Sequence, residues 1–122
     1  MSQENLSIQK LFGLALIKHK KGKYKDAEKF YKKILNLNPG HFQSNFFLGT
    51  LYGQIKKLQI SKIFLEKAIR INSNYPECYN NLGNIYHKLG DHQNAIICYK
   101  KALSLNVKYA DCYCNLGNLY LE

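Results

Sequence analysis

The chain has 122 residues, of which 46% are apolar, so it is long enough to bury the core of one domain of ordinary size. No apolar run approaches the roughly 20 residues that a membrane-spanning helix needs. The polar start at residues 1–5 does not resemble a secretory signal. We therefore expect a cytoplasmic protein without a membrane span.

Amphipathic segments follow one another along the chain and predict about seven helices. Apolar residues recur at spacings of three and four, as in Leu82, Ile85 and Leu89, which indicates one buried helix face. Gly90 and Asp91 then interrupt the pattern, as turn residues do. The predicted helices lie near residues 6–20, 24–37, 42–55, 58–71, 79–89, 92–105 and 110–121.

The chain repeats itself every 34 residues without a gap. The repeating columns include Leu14, Leu48, Leu82 and Leu116, then Gly49, Gly83 and Gly117, and then Asn38, Asn72 and Asn106. Such a period is typical of stacked helical hairpins, none of which buries its apolar side alone. We predict one domain, residues 1–122, with units at 8–41, 42–75 and 76–109 and a partial unit at 110–122.

Gly83 lies in the middle of a predicted helix, where Gly costs about 0.5–1 kcal/mol relative to Ala. That cost is tolerated where a neighbouring helix comes close, and we expect Ala95 on the opposing helix to supply the matching small residue. Large residues such as Tyr99 then fill the space between helices.

These columns resemble the tetratricopeptide repeat family, whose consensus runs from a bulky aromatic through Leu-Gly, Tyr, a turn Gly, Ala and a second aromatic to Ala. The unit 76–109 carries it as Tyr79, Leu82-Gly83, Tyr86, Gly90, Ala95, Tyr99 and Ala102. The unit 42–75 departs most, with Asn45, Lys56 and Ser61 at consensus columns. The resemblance implies an all-α, right-handed superhelical solenoid of antiparallel helix hairpins.

In this family the first helix of each hairpin lines a concave groove that binds a peptide or protein segment. The positions so implied are Gln9, Phe12, Leu16, His19, Gln43, Phe46, Thr50, Glu77, Asn80, Asn81, Asn84, His87, Asp111, Asn115 and Asn118. Their first half is apolar and their second half is rich in Asn, which donates and accepts hydrogen bonds and so suits a peptide backbone. We therefore predict a protein–protein interaction scaffold that binds an extended peptide.

Two interpretations of these residues stay open. The Asn-Leu-Gly-Asn run at 81–84 recurs at 115–118 and is similar to repeats of the O-linked N-acetylglucosamine transferase family, where such a ladder grips the substrate backbone. The chain would then recruit substrates for a larger enzyme such as a glycosyltransferase. Alternatively, Asn81 and Asn115 only brace the hairpins, and Phe12 and Phe46 only pack between helices.

The fold is also used as a clamp for the two carboxylates at chaperone C-termini, which requires Lys and Arg at set columns. In the register that starts at residue 42, those columns hold Phe46, Thr50, Asn81, Asp111 and Asn115. The cations are absent, and Asp111 would repel a carboxylate. We therefore predict that the chain does not bind acidic chaperone tails through this clamp.

The formal net charge of +10 is concentrated near the N-terminus, where residues 8–41 carry nine lysines against Asp26 and Glu28. One alternative function is docking of this basic face to nucleic acid or another polyanion. The other interpretation, a solvated lysine-rich helix face, is more common, and we favour a protein partner over nucleic acid. The lysines concerned are Lys18, Lys20, Lys21, Lys23, Lys25, Lys29, Lys32 and Lys33.

No sequence pattern here indicates catalysis. A Ser/His/Asp grouping, a phosphate-binding Gly loop and an HExxH motif are all missing, and His19, His41, His87 and His92 are scattered. The four cysteines form no CxxC pair, which favours reduced thiols. We predict no enzyme activity, no cofactor and no metal site.

The repeat pattern stops after the first helix of the fourth unit, without a polar helix after Leu116 and Leu119. We expect the chain to be a fragment of a longer repeat protein. The half unit either caps the stack or leaves an open end that pairs with a second copy in a homodimer.

Overall fold

Residues 2–122, which the computed structural model describes, form seven helices and no strand. They are α1 (Gln3–Lys20), α2 (Tyr24–Leu37), α3 (Phe42–Gln54), α4 (Leu58–Ile71), α5 (Pro76–Lys88), α6 (His92–Leu105) and α7 (Ala110–Tyr120). The predicted helices are confirmed, with the largest differences at two N-termini. Helix α1 begins earlier because the Ser2 hydroxyl accepts a hydrogen bond from the Asn5 backbone N–H, and α5 begins at Pro76, a favourable first helical residue.

Consecutive helices pair into hairpins, α1 with α2, α3 with α4, and α5 with α6. Each hairpin packs on the next through α2–α3 and α4–α5 contacts, and α7 packs on α6 and α5. Contacts therefore join near neighbours along the chain, which is the organisation of a helical repeat solenoid.

The turn inside each hairpin needs one residue with left-handed backbone. Gly22 and Gly90 adopt φ values of 75° and 82° at equivalent positions of the first and third hairpins. The second hairpin has Lys56 there with φ of 64°, the one departure from Gly in this column. A side chain in this conformation costs roughly 1–2 kcal/mol, so the second turn is strained.

A second repeating turn closes each unit. The side-chain oxygen of Asn38, Asn72 and Asn106 accepts a hydrogen bond from the backbone N–H two residues later, at 3.1, 3.1 and 3.2 Å. This hydrogen bond between the Asn side chain and the nearby backbone forms an Asx-turn, which directs the chain toward the next helix. The Asn column of the sequence thus has a structural cause.

Close packing within a hairpin occurs where the first helix carries Gly. A Cβ atom added at Gly83 would lie 2.6 Å from the Tyr99 ring, and one added at Gly49 would lie 3.0 Å from Leu65. The nearest atoms to Gly83 therefore belong to Tyr99 and not to Ala95, which corrects the expectation from sequence. Tyr99 and Leu65 are fully buried by this contact.

All four cysteines are free thiols, as expected from their spacing. Burial raises the pKa of Cys78 and Cys98 to about 12 and that of Cys112 to about 11. These three thiols are therefore protonated and unreactive near neutral pH. Cys114 is exposed on α7.

We expect Lys56→Gly to raise the free energy of unfolding by about 0.5–1 kcal/mol. Relief of the left-handed strain exceeds the extra backbone entropy that Gly loses on folding. Urea denaturation followed by circular dichroism measures the change. Lys57→Gly is the matched control, because Lys57 has φ of −90° and no such strain. An equal or larger stabilisation from the control would contradict this explanation.

Candidate functional site

A continuous trough runs along the first helices of successive hairpins. It consists of three concavities of about 340, 140 and 480 Å³ that lie in a row. Thr50 and Gln54 line both the first and the second concavity, and Asn84 and Lys88 line both the second and the third. Helices α1, α3, α5 and α7 all contribute to this surface, which we call the trough.

Seven of the residues proposed from sequence line the trough: Leu16, His19, Thr50, Asn81, Asn84, His87 and Asn115. Others lie elsewhere on the surface. Gln9, Gln43, Asp111 and Asn118 are exposed, and Glu77 is half-buried, but none of them borders these concavities. Whether any of the fifteen binds a ligand remains a prediction.

Phe46 and Asn80, which were expected in the groove, do not line the trough. They are only 6% and 5% exposed. The Phe46 ring packs edge-on against Tyr75 and Phe47 at centroid distances of 5.2 and 5.0 Å. The Asn80 side-chain oxygen accepts a hydrogen bond from the Asn115 amide at 3.0 Å. Their column faces the adjacent unit, because successive hairpins stack there.

Phe12 occupies the same column in the first unit and is half-buried. Its ring contacts the rings of His41, Phe47 and Tyr31 at centroid distances of 5.6, 5.8 and 6.4 Å. Packing between helices therefore accounts for Phe12. The apolar part of the trough comes instead from Leu16 and Phe47.

Sequence reasoning missed a complete column of the trough. Lys20, Gln54, Lys88 and Glu122 recur at the 34-residue period, and each lines one of the three concavities or two. They lie four residues after Leu16, Thr50, Asn84 and Asn118, so they extend the same helix stripe by one turn. Continuing the stripe by four residues from Leu16, Thr50, Asn84 and Asn118 would have identified them.

The polar side chains of the trough are held by hydrogen bonds from beneath. The Thr50 hydroxyl donates to the Phe46 carbonyl at 2.9 Å, so its oxygen accepts from the Asn81 amide N–H at 3.1 Å. On the next turn of α5, the Tyr99 hydroxyl donates to the side-chain oxygen of Asn84 at 2.6 Å. Asn81 is thus left with its oxygen and one N–H, and Asn84 with its NH₂ group, for other partners.

His19 is fixed in a similar way at the other end of the trough. Its Nε2 lies 2.6 Å from the side-chain oxygen of Gln54, which can only accept, so Nε2 carries the proton. Its Nδ1 then accepts from the Tyr31 hydroxyl at 2.9 Å. Burial raises the pKa of both Tyr31 and Tyr99, so these two phenols remain donors throughout the ordinary pH range.

The first two hairpins are also joined by a polar contact away from the trough. The Tyr52 hydroxyl donates to the Glu28 carboxylate, which also pairs with Lys32 at 3.3 Å. The hydrogen bond from Tyr52 is the main cause of the lowered pKa of Glu28. Most lysines of the basic N-terminal unit are exposed. None of the helices described at residues 2–122 has the length and apolar character that a membrane span requires.

The structure brings together three metal-ligating side chains that the sequence left apart. His87, His92 and Glu122 place their ligand atoms within 4.8 Å of one another, although no metal site was expected from the sequence. The α5–α6 turn joins the two histidines, and the residue after the α7 C-cap supplies the carboxylate.

Comparisons with known proteins identify the repeat. Sequence profiles of one family, described as tetratricopeptide repeat, match residues 9–41, 42–75 and 76–109. No curated protein matches the chain.

Several solved structures are similar to this one. MamA aligns with a TM-score of 0.88 and 27% identity over 93% of this chain and 66% of that chain. An O-GlcNAc transferase from Thermobaculum terrenum aligns with a TM-score of 0.93 and 20% identity over 98% of this chain and 23% of that chain. The first TPR of Spaghetti, bound to the HSP90 peptide SRMEEVD, aligns with a TM-score of 0.91 and 20% identity over 95% of this chain and 92% of that chain. The chain thus spans less than two thirds of MamA and under a quarter of the transferase.

Proposed function

We infer that this chain, which belongs to the tetratricopeptide repeat family, is an interaction scaffold whose trough binds an extended peptide segment of another protein. The observation that carries the proposal is the fixed orientation of the two amides on α5. A peptide backbone presents one N–H donor and one C=O acceptor per residue, and it needs partners of both kinds.

Asn81 and Asn84 supply this complementary pair. The two residues are three apart on one helix, a spacing that sets their Cβ atoms about 5–6 Å apart. Both line the 140 Å³ concavity at the centre of the trough. Asn81 offers an acceptor and Asn84 offers a donor, because Thr50 occupies one N–H of the first amide and Tyr99 the oxygen of the second. Neither contact depends on the side chains of the peptide.

A preference for particular side chains of the peptide would come from the first concavity. Leu16, Tyr24 and Phe47 give it an apolar wall, while His19 and Gln54 form a polar edge. This concavity of about 340 Å³ has room for an apolar or aromatic peptide side chain. The trough would therefore bind one peptide side chain near α1 and form hydrogen bonds with the peptide backbone near α5.

We expect Asn84→Asp to weaken peptide binding about tenfold. The substitution keeps the oxygen that accepts from Tyr99 but removes the ligand-facing NH₂ group, and one such hydrogen bond is worth about 1 kcal/mol or more. Peptides selected from an unbiased display library, followed by titration calorimetry, provide the measurement. Asn36→Asp on the exposed side of α2 adds the same charge outside the trough and is the matched control. Equal binding to both variants would exclude the trough as the peptide site.

The basic N-terminal face supports a second candidate function, docking to nucleic acid or another polyanion. Its exposed lysines at the end of α1 and on α2 are the observation that favours it. In the same titrations, polyanion binding would fall steeply with added salt on a log–log plot, because bound counterions are released. Peptide binding through the trough would depend on salt weakly. Recruitment of substrates for an attached enzyme is a special case of peptide binding, and the same variant tests it.

The chain is expected to bind the peptide SRMEEVD, which the Spaghetti domain binds, far more weakly than a peptide selected for its own trough. The columns that would hold the two-carboxylate clamp carry Phe46 and Thr50, and Phe46 is buried. Fluorescence anisotropy with the labelled peptide at physiological salt measures the affinity. Saturable binding that resists added salt and is lost on Asn81→Ala would show that a clamp exists after all.

We further propose that the open face of α7 pairs with α7 of a second copy. Tyr113 and Tyr120 are 53% and 60% exposed on this helix, and Leu121 beyond it is 87% exposed. A Cβ added at Gly117 would meet no atom within 4 Å, whereas Gly49 and Gly83 are covered. A matching apolar face on an identical chain would bury these groups around a two-fold axis.

Sedimentation should therefore show a monomer–dimer equilibrium that shifts with protein concentration. Tyr120→Lys should move it to monomer, because a charge would have to be buried in the interface. Ile63→Lys alters an equally exposed residue, 61%, on α4 and should leave the equilibrium unchanged. A concentration-independent monomer would contradict the dimer.

A further inference from the structure

The C-terminal end of the trough holds a compact group of two imidazoles and one carboxylate. The Nε2 atom of His87 lies 2.8 Å from one Glu122 oxygen, and the Nε2 atom of His92 lies 3.5 Å from the other. The two rings meet edge to face at a centroid distance of 5.5 Å. All three ligand atoms lie within 4.8 Å of one another.

These separations suit a shared metal ion. Metal–nitrogen and metal–oxygen bonds of about 2.0–2.2 Å in a tetrahedral site place neighbouring ligand atoms about 3.3–3.6 Å apart. The Nε2 atoms of His87 and His92 lie 2.8 and 3.5 Å from the two different oxygens of Glu122, so the three side chains already stand close to these separations. Side-chain rotation would have to bring the three ligand atoms, which lie within 4.8 Å of one another, to bonding distance of one centre. Two imidazoles and a carboxylate favour zinc and its neighbours among the divalent transition metals over calcium or magnesium.

The backbone holds the two histidines in place. His87 lies in the last turn of α5, and His92 is the first residue of α6. Gly90 between them has φ of 82°, and the Asp91 carboxylate accepts from the Asn94 N–H at the start of α6. The histidines therefore approach because of a turn that each hairpin repeats. His87 is held most firmly, with its side chain only 20% exposed.

The surroundings leave room for further ligands on one side. Asn84, Lys88 and Asn115 complete the walls of the 480 Å³ concavity on which His87 and Glu122 border. Lys88 opposes a cation there, whereas Asp91 beside His92 favours one.

We propose that His87, His92 and Glu122 bind one divalent transition-metal ion, such as Zn²⁺, with its remaining coordination positions facing the trough. Water or a polar group of a bound segment completes the coordination. Three protein ligands with an open position is the arrangement of accessible zinc sites. The ion joins the end of α7 to the α5–α6 hairpin, so it fastens the half unit to the last complete one.

Titration calorimetry with zinc chloride on protein without a polyhistidine tag tests the proposal. We expect one ion per chain and an increase in melting temperature on addition of zinc. His87→Gln, His92→Gln and Glu122→Gln should each weaken binding at least about tenfold, since loss of even an outer-shell partner costs 10- to 100-fold. The same variants should lose the zinc-dependent increase in melting temperature, which a purely structural role for these residues would not produce.

Cys114→Ser provides the control, because this exposed thiol is another potential zinc ligand. The site is supported if Cys114→Ser binds zinc as the parent chain does. Absence of saturable binding would overturn the proposal, and so would binding that survives Glu122→Gln and His92→Gln or disappears with Cys114→Ser. Glu122→Gln lies beyond the last helix, so its result does not depend on the folding of a histidine variant. The measurement needs no peptide, so its failure is separate from a failure of the proposed function.

Discussion

The contact between a glycine on the first helix of a hairpin and a large side chain on the second fixes how closely the two helices approach. Tyr99 covers Gly83 so closely that an added methyl group would collide with its ring, and Leu65 covers Gly49 almost as closely. The helix loses some intrinsic stability at each glycine, and burial of a Tyr or Leu side chain offsets that loss by about 1.5–3 kcal/mol. In the first hairpin Ala15 takes the place of the glycine, and both it and Tyr31 are fully buried.

The same contact connects the core to the surface. Tyr99 buries its ring against Gly83, and its hydroxyl then emerges beneath the trough to hold Asn84. Tyr31 holds His19 in the first hairpin in the same manner. Polar groups in the trough are therefore oriented by residues of the hydrophobic core, which reduces the side-chain entropy that a ligand must remove on binding. In the second hairpin the equivalent residue is Leu65, so this bracing is absent and Ser61 donates to the Gly49 carbonyl instead.

The sequence repeat was sufficient to predict the fold, because the residues that form each helix and each turn recur in every unit. Gly90 was predicted to lie in a turn and adopts left-handed backbone there, and the repeating Asn column closes each unit through its own turn. The trough was predicted less completely. The column of Phe46 and Asn80 faces the neighbouring unit, and that depends on the angle between hairpins, which no single-helix pattern contains. The meeting of His87 and His92 with Glu122 requires α7 to pack on α5, a contact between residues distant in sequence.

The uncovered backbone at Gly117 also bears on how such a chain can be altered. The surface that receives a second helix is already shaped there, since α7 presents the same Leu-Gly step that α3 and α5 present. One added helix with a large residue in the Tyr99 column would complete the fourth hairpin by packing against Gly117 of α7. The length of the ligand that the protein accommodates would then be a modular property, adjustable by whole units and independent of the chemistry at either end.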